Sequence, residues 1–131
     1  GKHGFTYSLL PHSGDFREAG VIEESYELNN PAKVFPAKKY EEQLSLFEID
    51  QNGIIVEAIK QSEDNDDMIV VRIYEAFGRA SDAKIKSDFD INKAYNLNLV
   101  EDIDSEIIVE DDSINLTFSP FEIKTLGLIV D

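Results

Sequence analysis

LSLFEID-QNG-IIVEAIK, residues Leu44 to Lys60, is the stretch on which the fold turns. Two short apolar-rich runs flank Gln51-Asn52-Gly53, and Asn-Gly supplies the positive φ angles that a tight hairpin needs. The two runs are therefore expected to pair. Runs of the same kind follow to the end of the chain: DMIVVRIYEAF (Asp67–Phe77), DAKIKSDF (Asp82–Phe89), KAYNLNLVE (Lys93–Glu101), EIIVE (Glu106–Glu110), SINLTFS (Ser113–Ser119) and FEIKTLGLIV (Phe121–Val130). Polar turn residues separate most of them and leave little room for helix. About eight short strands at this spacing predict a mainly β chain, an immunoglobulin-like β-sandwich of two sheets. The chain has no cysteine and no tryptophan, so any likeness to antibody domains is one of architecture only.

The last run carries an irregularity. Phe121 and Ile123 share one face, whereas Leu126, Leu128 and Val130 lie on the other. A side-chain period of two cannot change phase unaided. Either a bulge lies near Thr125 to Gly127, or the strand is covered on both faces.

The N-terminal part reads differently. Phe5, Tyr7 and Leu9 alternate with Thr6 and Ser8, the pattern of a half-buried strand, which Pro11 and Gly14 end. Asp15, with Glu18 three residues on, is placed to cap a helix over about Phe16 to Leu28. Asn29, Asn30 and Pro31 stop it. Residues 31–43, with Pro36 and no periodicity, are expected to be a linker. The expected organisation is a strand and helix over 1–30, the linker, and the sandwich over 44–131.

Composition excludes whole classes of function. With 27 acidic against 12 basic side chains the net charge is −15, which repels phosphate backbones, so no nucleic acid partner is expected. No run of about 18 apolar residues is present, so no membrane span is expected, and no charged-then-apolar leader is seen. The lack of cysteine favours a reducing compartment, the cytoplasm. The acidic stretches Glu63–Asp67, Glu101–Glu106 and Val109–Asp112 sit between apolar runs and read as solvated turns. The rival reading, calcium, would use their carboxylate oxygens, but no stretch has the mid-loop glycine of an EF-hand.

Candidate chemistry is sparse. His3 and His12 are the only histidines, nine residues apart with no third ligand at suitable spacing, so no metal site is assigned. No cysteine and no nucleophile-elbow motif is present. A retaining glycosidase needs two carboxylates roughly 5–5.5 Å apart, but among 27 acids such a pair arises by chance. Arg72, Glu75 and Arg79 form a charged group at the end of one predicted strand. Arg72 and Tyr74 share a face and Glu75 takes the other, which suits ion pairs at a sandwich edge. The functional alternative is that Arg72, Glu75, Gly78 and Arg79 contact a neighbouring domain or an active-site rim, because loops at strand ends are where binding groups are placed.

An ordered set of short segments resembles the C-terminal end of glycoside hydrolase family 38, the retaining α-mannosidases. It begins with Phe5, Tyr7, Leu9, Pro11, His12 and Gly14, then YELNNP (Tyr26–Pro31) and KQSED (Lys60–Asp64). VVRIYEAFG (Val70–Gly78), NLVE (Asn98–Glu101) and FSPFEIKT (Phe118–Thr125) complete it. The resemblance spans nearly the whole chain. It implies that residues 1–30 are the last strand and helix of a preceding β-domain and that the terminal sandwich follows. It also implies that the nucleophile and a zinc ion belong to an N-terminal barrel none of whose motifs map here. On that reading this chain has no catalytic residue, no cofactor-binding residue and no metal ligand of its own. Its partners are the remaining domains of the parent enzyme, with mannosides met through the parent and homo-oligomers allowed. The alternative is a carbohydrate-binding β-sandwich module, weakened by the lack of tryptophan and by tyrosines that fall mostly within strands.

Overall fold

The computed structural model describes residues 1–36 and 45–130. The chain divides into two compact units, Gly1–Glu41 and Glu42–Asp131. The expected linker 31–43, and the first sandwich residue Leu44, lie partly or wholly outside the described residues.

Nine strands are described in the second unit: β1 (Phe47–Ile49), β2 (Ile54–Gln61), β3 (Met68–Glu75), β4 (Ser81–Ser87), β5 (Ile91–Leu97), β6 (Ile103–Ile107), β7 (Val109–Glu110), β8 (Ser113–Phe118) and β9 (Ile123–Val130). Each run expected to be a strand contains one, and EIIVE is divided between β6 and β7. They form a four-stranded sheet in the order β1-β4-β8-β7 and a five-stranded sheet in the order β2-β3-β9-β5-β6, every pairing antiparallel. Ile73 and Leu126 from one sheet pack with Ile85, Ile114 and Phe118 from the other in a single buried cluster. The expected two-sheet sandwich is the fold.

The expected hairpin at Asn52-Gly53 is corrected. The turn forms, with Gly53 at φ 91°, but β1 pairs with β4 and β2 with β3, so the turn carries the chain from one sheet to the other. Asn-Gly fixes the reversal, not the partner; here the Gly53 carbonyl accepts the Ala76 N–H at 2.8 Å. A true two-residue hairpin loop lies elsewhere, at Asp111-Asp112 between β7 and β8, both with positive φ. Such loops require left-handed residues, and Asp tolerates that region better than most. That stretch is acidic because it turns.

The phase change in β9 is resolved in favour of cover on both faces. The register of β9 runs unbroken against β3 from Ile123 to Ile129, and against β5 from Thr125 to Ile129, so no bulge lies at Thr125–Gly127. Leu126 and Leu128 point into the sandwich. On the outward face, Met68, Val70 and Leu97 form a second small core, with Tyr95 and Ile129 against it. Gly127 lies beneath this core, where a Cβ would come within 2.6 Å of the Met68 sulfur and 3.1 Å of Leu97.

The β5–β6 loop reaches across this face to β2. Glu101 of that loop meets Lys60 on β2, with an Nζ–Oε1 distance of 2.5 Å, and its other oxygen accepts the Glu63 N–H at 3.1 Å. β3 and β9 lie between β2 and β5 in the sheet, so the contact crosses the outward face. The ion pair lowers the Glu101 carboxyl below its usual range, helped by the Glu63 N–H, and raises Lys60.

The first unit holds helix α1 (Val21–Asn29), shorter than expected. Asp15 does cap, its Oδ1 accepting the N–H groups of Arg17 (2.9 Å) and Glu18 (3.1 Å), but the turn it starts ends at Gly20 with φ 63°. A left-handed residue cannot continue a right-handed helix, so α1 begins after it. The strand expected over Phe5–Leu9 is likewise corrected: no strand is described before Phe47, and Phe5, Tyr7 and Leu9 are exposed. Alternation supplies an apolar face but not a hydrogen-bonding neighbour, without which no strand forms.

Candidate functional site

The site grows from one buried acid. β3 pairs with β9 so that Tyr74 faces Ile123, which brings the exit of β3 against the entry of β9. Glu75 follows Ile73 in phase, points inward and is 1 % exposed. A buried carboxylate needs compensation, and here it comes from main chain. Oε1 accepts the Phe77 N–H at 2.8 Å; Oε2 accepts those of Gly78 (2.7 Å), Arg79 (3.1 Å) and Phe121 (3.0 Å). Burial alone would raise the Glu75 carboxyl, but the N–H groups, Phe121 and Phe77 foremost, outweigh it and hold the group below its ordinary value. The Glu75 N–H also donates to the Glu122 carbonyl at 2.9 Å. One side chain thus joins the loop after β3 to the loop before β9.

The second loop is shaped for presentation. Ser119 to Glu122 has proline at its second position, a positive φ (60°) at Phe121 and a Glu122 N–H to Ser119 carbonyl bond of 3.1 Å. These are the marks of a type II turn, whose third position ordinarily holds glycine or asparagine. A bulky residue there is an outlier. The Glu122 carboxylate fastens the turn by accepting the Ser119 N–H at 2.7 Å and the Lys124 ammonium at 2.9 Å, which together lower its pKa. The Phe121 ring stays 69 % exposed and lies over Gly78, where a Cβ would come within 2.5 Å of it.

The four residues named from sequence are placed as follows. Arg72 is half-buried on the outward face, its Nε 3.5 Å from Thr125 Oγ1 across the β3–β9 pair. Glu75 is enclosed and engaged with main chain. Gly78 is half-buried beneath Phe121, and Arg79 is exposed, donating to the Asn52 carbonyl at 3.4 Å and lying over the Phe77 ring. Gly78 and Arg79 therefore meet at one loop with Glu75 below them, while Arg72 stands apart on the face. Sequence reasoning did not single out Phe121 as a presented residue; the signal was Ser-Pro-Phe-Glu, a type II turn pattern with an aromatic in the glycine position.

Among the described residues, no group of three or more His, Cys, Asp or Glu side chains is placed to hold a metal ion. Zinc, implied by the family resemblance, finds no fitting ligand set among them. The acidic stretches make contacts within the sandwich. Asn65 closes the Glu63–Asp67 turn, Glu101 binds Lys60, and Asp112 accepts the Ile91 N–H at 3.1 Å.

Such an architecture defines a class: a β-sandwich of two antiparallel sheets in which one buried carboxylate ties the loop after β3 to the loop before β9. Residues 53–126 match the family described as glycosyl hydrolases family 38 C-terminal beta sandwich domain, and the chain belongs to that family. It is 35% identical to Alpha-mannosidase 2C1 of Mus musculus over 99% of its own length, and 34% identical to Alpha-mannosidase 2C1 of Homo sapiens. It is 31% identical to Alpha-mannosidase G of Dictyostelium discoideum over 98% of its length. The chain spans only 12–13% of the length of these relatives. Four of the segments that carried the resemblance, all in the second unit, meet in pairs. KQSED joins NLVE through Lys60 and Glu101, and YEAFG joins FSPFE through Glu75 and Phe121.

Proposed function

We propose that this chain is the non-catalytic C-terminal end of a retaining α-mannosidase that hydrolyses terminal α-linked mannose through a covalent intermediate. Its role is structural: it packs on the parent's other domains and, through the loops around Gly78, Arg79 and Phe121, helps to shape the rim of the active site. The observation that carries this reading is the end-to-end match to about one eighth of three α-mannosidases. Nucleophile, acid/base and zinc belong to the barrel of the parent, residues 1–30 complete the preceding β-domain, and residues 44–131 form the sandwich. The compartment we infer from the absence of cysteine is the cytoplasm.

The experiment expresses the longer polypeptide with and without this 131-residue segment. The shortened enzyme should lose most soluble activity and melt lower, and part of the activity should return when the segment is supplied in trans. Full activity and unchanged melting of the shortened enzyme would remove the structural role.

A further inference from the structure

We propose that the apolar surface made by Leu99, Val100 and Ile123, edged by Phe121, is the seat of another domain of the same long polypeptide, one offering an apolar face with a basic rim. This rests on the reading above and deepens it: the principal interdomain contact is the β5–β6 loop and the start of β9.

The loop is built to hold its tip still. Asn98 Oδ1 accepts the N–H groups of Val100 (2.9 Å) and Asp102 (3.0 Å), and its Nδ2 donates to Asp102 Oδ2 at 3.0 Å. Glu101, in the left-handed region at φ 70°, is tied down by Lys60. Yet Leu99 and Val100, held between these anchors, are each 73 % exposed. A lone exposed leucine needs no explanation. Here Leu99 and Val100 share the wall of an open groove of about 730 Å³ with Ile123, itself exposed, and strained Phe121 stands two residues before Ile123. Backbone strain beside exposed apolar side chains points to a surface that is used.

The groove's polar groups argue against a sugar. Asn96 Nδ2 donates to Ser105 Oγ at 3.0 Å, Asn98 is engaged within its loop, and Glu122 is held by Ser119 and Lys124. Leu99, Val100 and Ile123 are the exposed apolar side chains of the wall and Asp104 is its exposed acid, whereas a sugar site needs several convergent polar groups left available. The occupant follows from two facts. More than four fifths of each relative's length lies outside the region this chain matches. Two copies of a chain carrying −15 repel each other, whereas a basic rim on a neighbouring domain is attracted.

The test is hydroxyl-radical footprinting of the full long polypeptide, with Ile108, 79 % exposed at the far end of β6, as internal reference. Leu99 and Ile123 should be labelled about fivefold less than Ile108, because an interface core excludes water. Leu99→Glu should restore labelling of Ile123 and Phe121 without changing hydrogen exchange across β9. Labelling of Leu99 equal to Ile108 overturns the proposal. So does protection that vanishes on dilution as a dimer dissociates, which would make the occupant a second copy. Should Gly78 and Arg79 be protected while Leu99 reacts freely, this inference fails and the interdomain role stands.

Discussion

Replacing Glu75 with glutamine tests the weld between the two loops. The change is nearly isosteric, so its effect is one of hydrogen bonding. The carboxylate serves four N–H groups, Phe77 on Oε1 and Gly78, Arg79 and Phe121 on Oε2. An amide has one acceptor oxygen. Turned toward the group of three, it leaves its NH2 facing the Phe77 N–H, two buried donors with no acceptor. Each such donor costs about 1–3 kcal/mol, and the three remaining bonds lose their charge assistance, so the variant should be less stable by about 4 kcal/mol. Urea denaturation of the 131-residue chain at pH 7, with unchanged m-value, reads this directly. The pH dependence gives a second check. The folded pKa of Glu75 is lowered, so its contribution is complete above the unfolded value of about 4.3 and is lost as pH falls through the folded value. The gap between wild type and variant should therefore close in acid, where a protonated Glu75 meets the same surplus of donors. A difference below about 1 kcal/mol at pH 7, or one that persists undiminished in acid, would refute the reasoning.

Other outcomes follow from the same contacts. Gly127→Val should destabilise the chain by about 3 kcal/mol through overpacking beneath Met68 and Leu97, measured by denaturation, and adding Met68→Ala should recover part of the loss. Phe121→Gly should stabilise the isolated chain by about 1 kcal/mol by relieving the positive φ, while weakening the domain's hold in the long polypeptide as read by limited proteolysis. Glu101→Gln should lower stability at neutral pH, flatten the acid limb of the stability curve because the Glu101 pKa is lowered, and matter less in high salt. On the alkaline side, the raised Lys60 pKa means its contribution persists below the unfolded value and is lost as pH rises through the folded one.

Strand identity was legible because β runs alternate and polar turns separate them; partner choice was not. Asn52-Gly53 announces a reversal, but whether the chain returns along the same sheet depends on tertiary hydrogen bonds such as Ala76 to Gly53. The phase change in the last run read correctly as a choice between bulge and double cover. The unbroken register of β9 against β3 and β5 decides it, and the loop from Asn98 to Asp102 crosses the outward face to Lys60. That crossing is a contact across forty residues of sequence, invisible to periodicity. At the candidate site, Glu75 was noticed as a charge beside two arginines. Its four main-chain donors could not be read, because backbone N–H directions are set by the loops themselves. The helix start moved for a local reason: the Asp15 cap was visible, but Gly20 in the left-handed region ended its turn.

The central claim is that catalysis resides in the rest of a longer α-mannosidase and that this chain serves it structurally. Turnover of 4-nitrophenyl α-mannoside, with and without added zinc, by the purified 131-residue chain beside the long polypeptide tests it most directly. The account predicts zinc-dependent hydrolysis by the long polypeptide and none by the chain at any concentration. Chelator-sensitive hydrolysis by the clean chain would contradict it.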